Sequence, residues 1–150
     1  MKTEILDPRI ADVGGIPIAR LLPNKGKRPI GAWCFMDHAG PAEFGEDEDG
    51  MQVGRHPHIN LQTFSWMIDG EVLHKDSIGN EQVITKNQVN VMTAGTGNDQ
   101  GISHTEQSVF PDTGGSADAW RGMNMVQLWI ALPTDQKIER NFHHYPKLPS

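Results

Sequence analysis

The sequence predicts an all-β domain, and three observations carry that prediction. Apolar residues nowhere keep a long 3.6-residue period, so no amphipathic helix is expected. Sixteen glycines and ten prolines in 150 residues supply many turns. Runs rich in β-branched and aromatic residues alternate with turn dipeptides through the middle of the chain. The chain is read as one domain over 1–150, long enough to bury a core without staples.

Taken in order, residues 1–20 are an N-terminal segment, and the first clear strand is Leu61–Ile68 (Leu-Gln-Thr-Phe-Ser-Trp-Met-Ile). Asp69-Gly70 follows at once, and because both residues tolerate positive φ it reads as a hairpin turn into Glu71–Asp76. Gly79-Asn80 repeats the device before the strand Glu81–Thr85. Lys86-Asn87 then turns the chain into Gln88–Thr93, with Asn87 suited to a left-handed position. Met123–Leu132 reads as a buried strand near the end. Glu43–Gly50 is acidic, but its spacing does not match a calcium loop, so it is taken as a solvated turn. Residues 108–121 are loop-like, and the tail over 134–150, closing on Pro146-Lys-Leu-Pro-Ser150, is expected to be a linker or frayed end.

Thirteen Lys and Arg against nineteen Asp and Glu leave a formal charge of −6. No basic stripe is present, which argues against direct nucleic-acid binding, since phosphate neutralisation needs clustered cations. No apolar run reaches membrane-spanning length, so no membrane association is expected. The single cysteine, Cys34, cannot close an internal disulfide; with no signal-like start, a cytoplasmic location is expected. Cys34 itself is taken as a small buried apolar residue.

Chemistry concentrates in two pairs of donors. His56 and His58 are separated by one residue, as are His104 and Glu106. Alternate side chains in a strand share a face, so each pair projects two donors from one side. Three imidazoles and a carboxylate, without a thiolate, suit Fe(II), Mn, Ni, Zn or Cu. Gln62, Phe64, Trp66 and Ile68 share the parity of His56 and His58, and face the same interior if no bulge intervenes. Gln62, Phe64 and Trp66 are thus candidate pocket residues, although barrel core is the simpler role for the aromatic ones. Trp33 and Trp129 are read as core. His74 and Asp76 share a strand face and are read as a hydrogen-bonded pair rather than a second metal site. His38 is read as structural, and His143-His144 as adventitious.

Several motifs, in this order, resemble the N-terminal domain of the pirin family, within the cupin superfamily. They are Leu21-Leu-Pro23, Phe35-Met-Asp-His-Ala-Gly-Pro41, His56-Pro-His58, Gly70-Glu-Val-Leu-His-Lys-Asp-Ser77, Met92-Thr-Ala-Gly95, His104-Thr-Glu106 and Gln127-Leu-Trp-Ile-Ala-Leu-Pro133. The resemblance implies a small cupin-type β-barrel (jelly roll) that holds one iron through His56, His58, His104 and Glu106. It implies a quercetin 2,3-dioxygenase-like reaction on a flavonol-like or other oxygenated ring, with dioxygen as co-substrate and Glu106 as a ligand that can also take a proton. The alternative it implies is a non-catalytic, redox-sensing iron module that engages a partner protein in transcriptional control. The chain departs from the family pattern at Asn60 and Gln62, and in an apparent insertion at Asn98-Asp-Gln-Gly101 that is expected to reshape the mouth of the site. Pirins usually carry a second cupin-like domain, so the chain is read as either a fragment or a single-barrel relative; sheet surface that such a domain would cover invites self-association, and a homodimer is one assembly it allows.

Overall fold

The computed structural model describes residues 3, 5–26 and 29–148. Among these there is no helix, and eleven strands bear out the all-β prediction. They are β1 (Arg9–Val13), β2 (Ile16–Leu22), β3 (Trp33–Glu43), β4 (Gln52–His58), β5 (Leu61–Gly70), β6 (Val72–Asp76), β7 (Glu81–Ile84), β8 (Val89–Thr93), β9 (Ile102–Ser108), β10 (Gly122–Ala131) and β11 (Asn141–Tyr145). Seven form an antiparallel sheet in the order β1-β2-β3-β10-β5-β8-β11, and four form a smaller one in the order β4-β9-β6-β7. The core is apolar and rich in methionine: Ile16, Ile18, Met51, Met67, Val72, Met123 and Met125 are all buried in one cluster.

Two of the expected turns do something else. Asp69-Gly70 does not close a hairpin, because β5 lies in the large sheet and β6 in the small one. Here the chain leaves one sheet for the other. Gly70 has a φ of 88°, and a Cβ there would collide with the carbonyl oxygen of Gly122, so glycine is required both by conformation and by the approach of β10. Lys86-Asn87 likewise returns the chain from the small sheet to the large one, with Asn87 at a φ of 61° as its composition suggested. Gly79-Asn80 is a true hairpin turn between β6 and β7.

The described residues of both terminal segments carry strands, and Pro149 and Ser150 of the expected frayed end lie outside the described residues. The segment over 1–20 contributes β1 and most of β2, which pair with each other and extend the large sheet. The tail is no frayed linker, since β11 pairs with β8 from Asn141↔Thr93 to Tyr145↔Val89. Residues ahead of β11 are tied to the inserted loop: the Thr96 hydroxyl donates to the Gln136 carbonyl at 2.6 Å and accepts from the Ile138 amide at 2.9 Å. Gln100 Oε1 accepts the Arg140 amide at 2.8 Å. The acidic segment after Glu43 is a turn clasped by Arg121, whose guanidinium donates to the carbonyls of Gly45 and Glu46 at 2.8 and 2.7 Å. Cys34 is only half-buried, and its thiol lies 3.4 Å from the Trp129 carbonyl.

Candidate metal centre

The centre is built on the inner face of the small sheet, where β9 runs between β4 and β6. Residues opposed in antiparallel strands point to the same side. The register sets His56 against His104 and His104 against Asp76, while Val53 opposes Glu106 and Glu106 opposes His74. Val53 and His56 have opposite parity along the chain. A register shift between them, at Gly54 and Arg55, turns both inward, so the bulge is what aims His56 and His58 at His104.

The three imidazoles converge. Ring centroids are 4.3 Å apart for His56 and His104, 4.9 Å for His56 and His58, and 5.0 Å for His58 and His104. One nitrogen from each lies within 4.8 Å of the others. His56 Nδ1 donates to the Gly54 carbonyl at 2.9 Å, which leaves its Nε2 as the free lone pair. The Nε2 atoms of His58 and His104 are buried with no hydrogen-bond partner. Buried polar nitrogens are nearly always satisfied, so two orphaned ring nitrogens in one hollow mark a place that fits a bound cation. Burial, helped by the neighbouring imidazoles, lowers the His58 pKa to about 4 and that of His104 to about 2, which keeps both rings in the neutral form that binds metal.

Glu106 stands one step away. With His74 and His104 it makes a second group of possible ligands, so the four residues singled out from sequence, together with His74, make two triads sharing His104. Its carboxylate accepts from Gln127 Nε2 at 3.0 and 3.1 Å, and Ser65 Oγ is 3.5 Å away. Gln127 and Ser65 belong to the large sheet, and sequence reasoning passed over both. The His74–Asp76 pair is present, with Nε2 to Oδ2 at 3.1 Å. Burial works to raise the Asp76 pKa, but hydrogen bonds, led by the Asn80 amide, outweigh it and hold the carboxyl below its usual range. His38 faces away, bonded to Asn124 at 2.7 Å, and His144 bonds Asn90 at 2.8 Å.

The parity expectation for Gln62, Phe64, Trp66 and Ile68 is corrected. Asn60 takes a φ of 59° and breaks the chain between β4 and β5, which lie in different sheets, so parity does not carry across. In β5 the buried residues are Thr63, Ser65, Met67 and Gly70. Gln62, Phe64 and Trp66 are half-buried on the opposite face, where Gln62 Nε2 donates to Thr93. What lines the interior is a cavity of about 260 Å³ walled by Ile18, Phe35, Val53 and Trp129 and reaching His56 and Glu106. No residue of the inserted loop lines this cavity. Trp129 stacks on Phe35 at 4.0 Å and meets His58 edge-on at 4.9 Å, whereas Trp33 is 45% exposed.

The pirin family model matches residues 15–130. The chain belongs to the pirin family. A Pseudomonas aeruginosa protein that carries the provisional name quercetin 2,3-dioxygenase is 55% identical over 143 residues, covering 94% of this chain and 41% of that protein. A Caulobacter vibrioides pirin-like protein is 37% identical over 144 residues, covering 94% of this chain and 46% of its own length. The crystal structure of an Acinetobacter baumannii quercetin 2,3-dioxygenase superposes with a TM-score of 0.82 at 50% identity, over 96% of this chain and 44% of that one. A bacterial pirin from Escherichia coli, solved in complex with nickel(II), matches at 19% identity and a TM-score of 0.70, over 94% of this chain and 55% of that one, and supports the fold alone. This pirin chain therefore has the cupin-type barrel, and spans less than half the length of its P. aeruginosa and C. vibrioides relatives. No helix among its described residues is long and apolar enough to cross a membrane.

Proposed function

We propose that this pirin domain carries the metal centre of a dioxygenase that uses Fe(II) to act on a flavonol-like or other oxygenated aromatic ring. One observation carries the reading: the imidazole cluster that holds the orphaned Nε2 atoms of His58 and His104 adjoins, through His56, a cavity lined by Phe35, Trp129 and Glu106. His56, His58 and His104 would hold the ion, with Glu106 completing or leaving the set. A bound divalent iron would supply Lewis acidity and a site for dioxygen. The stacked Trp129 and Phe35 give a flat apolar wall suited to an aromatic ring and keep water away from it. Gln127 steadies the Glu106 carboxylate, which is the group able to accept the proton of a substrate hydroxyl. Names of the similar proteins point the same way.

The test is oxygen uptake by protein loaded anaerobically with Fe(II) and then exposed to air with a panel of flavonols. Substrate-dependent uptake that His104→Ala abolishes is the expected result. Slow oxidation of the iron, indifferent to substrate, would replace the enzyme by the redox-sensing module.

A further inference from the structure

We propose that Asp76 and His74 form a positioning relay that sets the tautomer of His104 and aims its Nε2 lone pair at the metal centre. The inference rests on the metal-binding reading of the three imidazoles. For His56 the tautomer follows from its partner, a carbonyl oxygen that can only accept. For His104 it does not, because the partner of its Nδ1 is another imidazole nitrogen, His74 Nδ1, at 3.3 Å. Two ring nitrogens facing each other share one proton, and the pair alone leaves its owner undecided.

Asp76 decides it. The ionised carboxylate only accepts, and it is already fixed by the Ile78 and Asn80 amides at 3.0 Å each and by Asn80 Nδ2 at 2.8 Å. His74 Nε2, 3.1 Å from Oδ2, must therefore carry hydrogen. A neutral His74 then presents a bare Nδ1, so His104 donates from its own Nδ1 and keeps Nε2 free. The opposite assignment sets a nitrogen lone pair against the carboxylate and puts a proton on His104 Nε2, where it would meet no acceptor. His74 is held rigid for this role: it is buried, and its ring stacks on Phe142 of β11 at 4.6 Å and 17°. Carboxylate support of a ligating histidine is usually direct. Here it acts through a second imidazole, with Asp76, His74, His104 and Glu106 on one face of the small sheet.

The relay is tested on the metal-free wild-type protein by ¹⁵N NMR of its imidazoles. The expected spectrum shows His104 protonated at Nδ1 and bare at Nε2; a proton on Nε2 overturns the proposal. Zinc affinity, measured by chelator competition, supplies a second readout. His74→Phe keeps the stacked ring but removes the acceptor, and is expected to weaken zinc binding about 10–100-fold. His74→Asn returns an oxygen near the Nδ1 position and should recover most of that loss. A folded His74→Phe protein that binds zinc as tightly as wild type would also sink the relay. Wild-type protein that takes up no zinc would remove the metal reading instead, and the tautomer spectrum would still decide the relay.

Discussion

Acid should weaken the metal-free fold through His58 and His104, by an amount that follows from their burial. In the unfolded chain both imidazoles take up a proton near pH 6.5. In the native state burial delays this to about 4 for His58 and about 2 for His104. Between these values the unfolded state binds more protons than the native one, so stability falls as pH falls; above the unfolded value the effect vanishes, and for His58 it levels off below about 4. At pH 5 each ring sits about 1.5 units below its unfolded pKa, which costs about 2 kcal/mol per histidine and about 4 kcal/mol for both. That is a large part of the 5–15 kcal/mol typical of a domain. Urea unfolding of the apo protein, followed by tryptophan fluorescence at about pH 7.5 and about pH 5, measures the difference. The double variant His58→Gln/His104→Gln isolates it from other groups, and should lose about 4 kcal/mol less on acidification than wild type. Equal losses in the two proteins would show that these rings are not buried as neutral bases, and the case for their lone pairs as metal ligands would go with them.

Two further outcomes follow from particular contacts. Gly70→Ala forces a side chain into a left-handed backbone against the Gly122 carbonyl, and should cost about 1–3 kcal/mol from the backbone alone, read as a lower urea midpoint. Gln127→Leu strips Glu106 of both its amide contacts, and is expected to weaken zinc binding about 10-fold with little change in the melting temperature.

The donor pairs were legible because strand parity is local. His104 and Glu106 do share a face, and His56 and His58 face the same hollow. Parity fails wherever the chain changes sheets. Asn60 ends β4, so knowledge of His58 says nothing about Phe64 or Trp66, and the inward residue turns out to be Ser65. The same limit explains Asp69-Gly70: a dipeptide announces a reversal, but whether its flanking strands pair or part depends on β8, β9 and β10, which lie far off in sequence. The tail misled for another reason. Prolines at 133 and 146 bracket β11, and the short run Asn141–Tyr145 becomes a strand by pairing with β8 and by burying Phe142 against His74, both tertiary effects. Gln127 carried no local signal, since a polar residue in an apolar strand is equally at home facing solvent.

The Thr96 hydroxyl, wedged between Gln136 and Ile138, acts as a buckle. It moors the last strand beside β8, and that strand carries the ring on which His74 rests. Events at the terminus thus have a mechanical route through His74 to the imidazole cluster, while the hollow beside the cluster stays walled by other strands. On the proposed relay, loosening the buckle would slacken the hold on a bound ion before it altered the cavity wall, separating retention from admission.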